Sequence, residues 1–293
     1  MMQNKGTNSS TNFLPRTDLE PPLQQKYQKL LSCLRELGST AVAYSSGVDS
    51  TLLVKAAKDV LGERVIAVNA AAPSFPARER AETEAFCKGE GIRLIKVQFD
   101  PFSVPGFAEN PEDRCYLCKK ALFTKIRELA AENGMHTVSE GSNMDDLGDY
   151  RPGLKAIREL DIRSPLREAG LTKAEIRALS KKLGLPTWNK PSYACLASRF
   201  VYGEKITAEK LGMVERAEQL MLDLGFSQMR VRIHGKMARI EVLPEDFEKI
   251  MEEGTRRRIV RELKALGFSY VTLDLQGYRT GSMNETLPNA NHS

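Results

Sequence analysis

The side chains of this sequence whose types and spacing can do chemistry are a serine-rich turn, five cysteines, and a few aspartates and arginines set close to them. The turn is Ser45-Ser46-Gly47-Val48-Asp49-Ser50-Thr51, between the apolar stretch Thr40–Ala43 and a helical pattern over Val48–Leu61. A strand that turns on Gly47 into a helix start aims unpaired backbone N–H groups and the positive end of the helix dipole at one point, where an anion is favoured. The hydroxyls of Ser45, Ser46, Ser50 and Thr51 add donors, and Asp49 is a hard oxygen ligand suited to Mg²⁺ carried by a phosphate chain. The pattern G-x-x-x-x-G-K-S/T is absent from the sequence, so this is not the Walker kind of loop with a lysine on the terminal phosphates. A plainer reading, a serine-rich helix N-cap, covers S-x-x-D-S alone but not a strand, loop and helix in this order.

A second polar turn, Gly141-Ser142-Asn143-Met144-Asp145-Asp146, follows an apolar run at His136–Gly141. Alone it is ordinary turn chemistry. At the carboxyl edge of the same sheet, Gly141 would border the nucleotide and Asp145 would complete Mg²⁺ coordination with Asp49.

Arg114-Cys115-Tyr116-Leu117-Cys118-Lys119 is a C-x-x-C near an expected helix start, and Cys195 lies 77 residues beyond Cys118, followed by Leu196-Ala197-Ser198-Arg199. Helix N-terminus and basic neighbours (Arg114, Lys119, Lys120, Arg199) favour thiolates. Three readings stand at this level: buried structural cysteines, a redox pair, or three ligands of a [4Fe–4S] cluster with one iron left open. Structural zinc takes four protein ligands, and the three histidines have no helpful spacing. Cys33 and Cys87 fall in amphipathic helical patterns and read as packing residues. Arg230 and Arg232 alternate with Val231, which puts both guanidinium groups on one strand face, either a phosphate clamp or a solvated charged surface.

The elements that must hold these groups alternate. Thr40–Ser45, Arg64–Ala70, Ile92–Phe99 and His136–Gly141 read as strands; Leu23–Leu37, Val48–Leu61, Pro76–Glu90 and Lys119–Asn133 read as helices. This rhythm predicts a doubly wound parallel α/β sheet, extended by a strand near Asp161–Ser164 and a helix at Thr172–Leu183 with a Thr172/Glu175 capping box. After about Phe200 the rhythm changes to a helix at Ala208–Leu224, a hairpin of Gln228–Ile233 and Ala238–Leu243, a helix at Glu245–Leu266 broken at Gly254, and a strand at Tyr270–Gln276. That is a smaller α+β unit around an antiparallel sheet. The expected division is a disordered lead-in over 1–20, a first domain over 21–203, a second over 204–280, and a polar tail over 281–293.

The 293 residues suffice for two domains. A net charge of +5 with both signs interspersed suits anionic small molecules better than a dedicated nucleic-acid surface. No leader or membrane-length apolar run is present, which predicts a cytoplasmic protein with reduced cysteines.

The loop Ser45–Thr51 resembles the S-G-G-x-D-S loop of PP-loop pyrophosphatases, which hold the terminal pyrophosphate of ATP and transfer AMP; Ser46 stands where glycine is usual, which requires a φ below zero there. Together with the segment Gly141–Ala156, in which the extension Asp149–Ala156 is the specific part, and Pro191–Arg199, the chain from about Leu23 to Gln276 resembles the LarE family of ATP-dependent sulfur transferases. The resemblance implies adenylation of a carboxylate of pyridinium-3,5-biscarboxylic acid mononucleotide and its conversion to a thiocarboxylate, on the way to the nickel-pincer nucleotide of lactate racemase. It implies Ser198, Arg199, Arg230, Arg232, Glu218 and Glu241 near the substrate. One subgroup sacrifices the sulfur of the cysteine matching Cys195; Cys115 and Cys118 resemble the other, which uses a [4Fe–4S] cluster. Implied partners are sulfide or a sulfur-donor protein and further copies of the chain as a homo-oligomer. The alternatives are another PP-loop enzyme, such as a tRNA thiolase or an amide-forming synthetase, and a non-enzymatic iron–sulfur or nucleotide-binding module.

Overall fold

The computed structural model describes residues 19–72, 78–147, 152–191 and 194–287. Pro76, the stretch 148–151, Ser192 and Tyr193 lie outside the described residues, as do most of the expected lead-in and the last six residues of the expected tail.

In chain order come α1 (Pro21–Leu37), β1 (Thr40–Ala43), α2 (Val48–Leu61), β2 (Val65–Ala71), α3 (Arg78–Gly89), β3 (Arg93–Gln98), α4 (Arg114–Glu132), β4 (Thr137–Ser139), α5 (Gly153–Glu159), α6 (Pro165–Glu168) and α7 (Lys173–Lys182). The first sheet has the order β3-β2-β1-β4 and every pair is parallel. Its alternation divides two cores. Val42, Val65 and Ala67 pack with α1, α2 and α7 on one face, and Ala41, Ile66 and Val68 with α4 and α5 on the other. Leu52 and Leu53 of α2 are fully buried, each contributing about 1.5–3 kcal/mol, so the helix that opens at the serine turn is firmly seated. The capping box at Thr172/Glu175 forms as expected. The strand expected near Asp161–Ser164 is reduced to a single bridge from Arg163 to Ser139, because β4 has only three residues to pair with. The fourth helix starts earlier than the expected Lys119, at Arg114, so both cysteines of the C-x-x-C lie inside it.

The remaining elements are α8 (Ala208–Asp223), β5 (Met229–His234), β6 (Met237–Val242), α9 (Phe247–Met251), α10 (Glu253–Ala265) and β7 (Tyr270–Leu273). The hairpin turns on Gly235, whose φ of 61° needs glycine. The sheet is mixed, not antiparallel: β6 pairs antiparallel with β5 but parallel with β7, since the α9–α10 crossover carries the chain back to the same end. The break between α9 and α10 falls at Glu252, and Gly254 sits inside the first turn of α10. Phe107, Leu196, Ala197 and Phe200 bury into this second core, so segments from before residue 203 are stitched into it. Among the described residues no helix is long and apolar enough to cross a membrane.

Candidate active site

The serine turn leaves β1 and enters α2 at the carboxyl edge of the sheet. Tyr44 is pinned to β2 by its N–H on the Val68 carbonyl at 2.9 Å and by the Asn69 amide on its own carbonyl at 2.8 Å. Ser50 Oγ accepts from the Ser45 N–H at 3.3 Å, lies 3.2 Å from Ser45 Oγ, and donates to the Gly47 carbonyl at 3.3 Å, which folds the turn on itself. The N-cap of α2 is Gly47, with no side chain capping the first-turn N–H groups. That is the arrangement an anion completes. Thr51, expected as a phosphate donor, is fully buried with its hydroxyl toward Tyr44.

Ser46 corrects one expectation. Its φ is +53°, in the left-handed region, not below zero. The turn demands the glycine-like conformation, so serine carries a strain of about 1–2 kcal/mol there.

Gly141, just past β4, lies against this turn: a Cβ on it would stand 3.1 Å from Ser50 N and 3.3 Å from Asp49 Cβ. A larger residue here would have to push the two polar turns apart by a few tenths of an ångström. Across that contact Asn143 Nδ2 donates to Asp49 Oδ1 at 3.2 Å, and Lys173 at the start of α7 forms an ion pair with Asp49. Asp145 accepts the Lys173 backbone N–H at 2.9 Å, so it anchors α7 and reaches the same lysine as Asp49 from another side. Among the described residues no group of three or more His, Cys, Asp or Glu side chains is arranged around one metal ion. Asp49, at the N-terminus of α2, is the carboxylate at the turn itself, and Mg²⁺ takes one or two carboxylates plus substrate phosphates.

The cysteines meet where α4 begins. Arg114, 4% exposed, donates Nη1 to the Ala197 carbonyl at 3.0 Å and to Asn110, and its Nη2 stands 3.5 Å from Cys115 Sγ. This guanidinium therefore joins the C-x-x-C helix to the Cys195–Arg199 segment. The Cys118 thiol is pushed up to about 12, first by burial and then by the neighbouring charges of Cys195 and Cys115, with Arg114 and Lys119 opposing. Basic neighbours alone would lower it; burial wins. Cys118 and Cys195 both pack against the second core, whereas Cys33 lies on α1 and Cys87 in the first core. By residue type the three thiols match the donor set of a cluster that leaves one iron open, but among the described residues they do not form a ready cage around one point.

In the second unit a buried charge network adjoins Cys195. Arg199, 1% exposed, grips Glu218 in bidentate fashion at 2.7 and 2.9 Å and donates to the carbonyls of Ala194 at 3.0 Å and Cys195 at 3.4 Å and to Ser198 Oγ at 2.8 Å. Its guanidinium points inward and positions the cysteine segment. Glu218 also accepts the Val231 N–H at 3.1 Å. Arg232 holds the Ser198 carbonyl at 3.0 Å and Glu241 at 2.9 Å, and Glu241 accepts from Arg239 as well. Arg230 stacks 4.9 Å from the Tyr278 ring centre and is pushed down to about 10, by burial first and the Arg199 charge second. Among the described residues the buried Nε of Arg232 finds no hydrogen-bond partner. Arg199, Arg230, Arg232 and Arg239 thus face three carboxylates, Glu218, Glu241 and Asp274, an excess of one positive charge that an anion would balance.

Lys173 and Lys190 at the serine turn, and Arg114 as a bridge, are contributions the spacing of motifs did not single out. A lysine just after the Thr172 cap was the available signal for the first.

A parallel 3-2-1-4 sheet with a serine turn at the end of its first strand defines the class: an α/β protein of the PP-loop ATP pyrophosphatase type. No family model matches the chain. It is 40% identical over 273 residues to the pyridinium-3,5-bisthiocarboxylic acid mononucleotide synthase of Lactiplantibacillus plantarum, covering 92% of this chain and 97% of that one. The chain belongs to the LarE family of ATP-dependent sulfur transferases and is an enzyme. An uncharacterized protein of Synechocystis sp. is 43% identical over 265 residues, 90% of this chain and 99% of its own length. A glutamine-hydrolyzing GMP synthase of Phaeosphaeria nodorum is 24% identical over 238 residues, 69% of this chain and 43% of its own length.

Proposed function

We propose that this enzyme adenylates a carboxylate of pyridinium-3,5-biscarboxylic acid mononucleotide and converts it to a thiocarboxylate, in the cytoplasm, as a step toward a nickel-pincer nucleotide. The observation that carries the reading is the near full-length similarity to the synthase, with Arg114 joining Cys115 to the segment that follows Cys195.

The turn Ser45–Ser50, against Gly141, would receive the pyrophosphate of ATP, and Asp49 and Asp145 would hold the Mg²⁺ that neutralises its charge. Arg230 and Arg232, backed by Glu218 and Glu241, take the substrate phosphate, and Ser198 lines the path between them and Cys195. A substrate carboxylate oxygen attacks the α-phosphorus; the bond to the β-phosphate oxygen breaks and pyrophosphate leaves. Hydrosulfide then adds to the acyl carbon, the bond to the AMP oxygen breaks, and a thiocarboxylate, AMP and a proton are released. Cys115, Cys118 and Cys195 would hold a [4Fe–4S] cluster whose open coordination position supplies a place for transferable sulfur. Sulfide or a sulfur-donor protein replenishes it, and the second unit supports a homo-oligomer.

The test is ATP labelled at its α and γ positions, incubated anaerobically with the biscarboxylate mononucleotide, Mg²⁺ and sulfide. AMP and pyrophosphate should appear in step with thiocarboxylate. ADP and phosphate instead would overturn the assignment of the loop.

A further inference from the structure

The serine turn contains no lysine, and the segment leading to Cys195 delivers one to it. Lys190 Nζ donates to the Ser46 carbonyl at 3.1 Å and approaches the Ser46 hydroxyl at 3.4 Å, and it forms an ion pair with Glu82 of α3. The lysine side chain is 13% exposed and the glutamate 52%. The ammonium is therefore drawn into the turn while its carboxylate partner stays in water. The backbone around it is fixed from α7, where Arg177 donates to the carbonyls of Trp188 at 2.9 Å and Lys190 at 2.8 Å. Arg177 stands one helical turn after Lys173, the partner of Asp49. One helix thus sets two cations at the turn, Lys173 directly and Lys190 through its grip on the chain.

We propose that Lys190 is a phosphate ligand of the ATP complex, held in reserve by Glu82 and transferred to the terminal phosphates when the nucleotide binds. This rests on the serine turn being the ATP site. A lysine is a compact charge on a flexible four-carbon stem with three donors, so it can leave one oxygen for another without moving its backbone. The exposed pair with Glu82 is the weaker of its two choices, because an exposed ion pair is screened by water, whereas a polyphosphate in the turn brings several negative charges to a partly enclosed position. A lysine arriving from outside the turn supplies the cation that a Walker loop carries within itself. When pyrophosphate departs, Lys190 returns to Glu82.

The experiment is equilibrium binding of Mg·ATP, Mg·pyrophosphate and AMP to the full chain by calorimetry, which requires neither the carboxylate substrate nor a cluster. Lys190→Ala should weaken ATP and pyrophosphate by roughly tenfold or more, the loss of one charge-assisted hydrogen bond, and leave AMP unchanged. Lys190→Arg should restore part of the loss. Glu82→Gln should tighten ATP and pyrophosphate by roughly twofold or more, since the competing carboxylate is gone. A structural tether predicts the opposite sign for Glu82→Gln, so unchanged or weaker binding in that variant overturns the proposal, as does wild-type ATP affinity in Lys190→Ala or an equal loss of AMP. If Lys190→Ala does not fold, the sign of the Glu82→Gln effect still decides. Asp49→Ala separates the two levels: undiminished ATP binding there removes the turn as the ATP site, while weakened binding there with a normal Lys190→Ala removes only this proposal.

Discussion

Replacing Arg199 with alanine should cost this protein more stability than any single change at its surface. The guanidinium and the Glu218 carboxylate are each 1% exposed and joined by two hydrogen bonds, and the same guanidinium holds the carbonyls of Ala194 and Cys195. Truncation strands a buried carboxylate, whose penalty is about 3–5 kcal/mol. One effect works the other way: Arg199 is the second cause of the depressed Arg230, and its removal relieves that repulsion. The expected loss therefore lies at the low end, about 3 kcal/mol, still a large part of the 5–15 kcal/mol typical of a domain. Arg199→Met combined with Glu218→Gln should recover part of it, because the amide oxygen can still accept the Val231 N–H and no buried carboxylate is stranded, although Arg230 loses the Glu218 charge. Urea unfolding followed by far-ultraviolet circular dichroism measures both. A loss below about 1 kcal/mol in Arg199→Ala would mean that the pair behaves like a solvated one and would refute the reasoning.

Three further outcomes follow from the geometry. Ser46→Gly should leave the fold intact and raise stability by up to about 1 kcal/mol in thermal unfolding, because glycine takes a φ of +53° without strain; a clear destabilisation would contradict the strain. Gly141→Ala should keep the melting temperature close to wild type but weaken Mg·ATP roughly tenfold or more, since its Cβ would sit 3.1 Å from Ser50 N and push the two turns apart; unaltered affinity would deny the contact. The Glu168 carboxyl is held below its usual range chiefly by the Arg163 guanidinium. A depressed folded value means its contribution is present above the ordinary range near 4.5 and is lost as pH falls through the lower folded value. Glu168→Gln should be less stable than wild type at neutral pH and converge with it in acid; a gap independent of pH would assign the effect to packing.

The legible parts of this protein were local ones. The residues Thr40–Ala43 and Val48–Leu61 carry their own periodicity, and α2 forms over the expected range with the serine turn before it. The Thr172 cap was equally readable, because the partners stand three residues apart. The start of α4 was not: its N-cap, Asp113, makes no side-chain cap bond, and the first turn is held by the long-range grip of Arg114. The parallel pairing of β7 was hidden for a related reason, since a strand's own residues do not record the direction of its neighbour. At the site, Lys173 and Lys190 find their partners 124 and 144 positions away, a distance at which spacing says nothing. Arg230 and Arg232 were placed on one strand face by alternation, but their burial and the inward turn of Arg199 depend on Glu218 and Glu241 from other elements.

The central claim is that sulfur passes through Cys195 and its two companions without being taken from them. Protein reconstituted anaerobically with iron and sulfide, turned over several times with ATP and the biscarboxylate mononucleotide, and then analysed by mass spectrometry, tests this most directly. Cys195 should retain its sulfur while thiocarboxylate exceeds one equivalent per chain, and single Cys115→Ala, Cys118→Ala or Cys195→Ala variants should lose both iron and transfer. Loss of one H₂S from Cys195, with product stopping at the number of chains, would contradict the account and establish the cysteine itself as the donor.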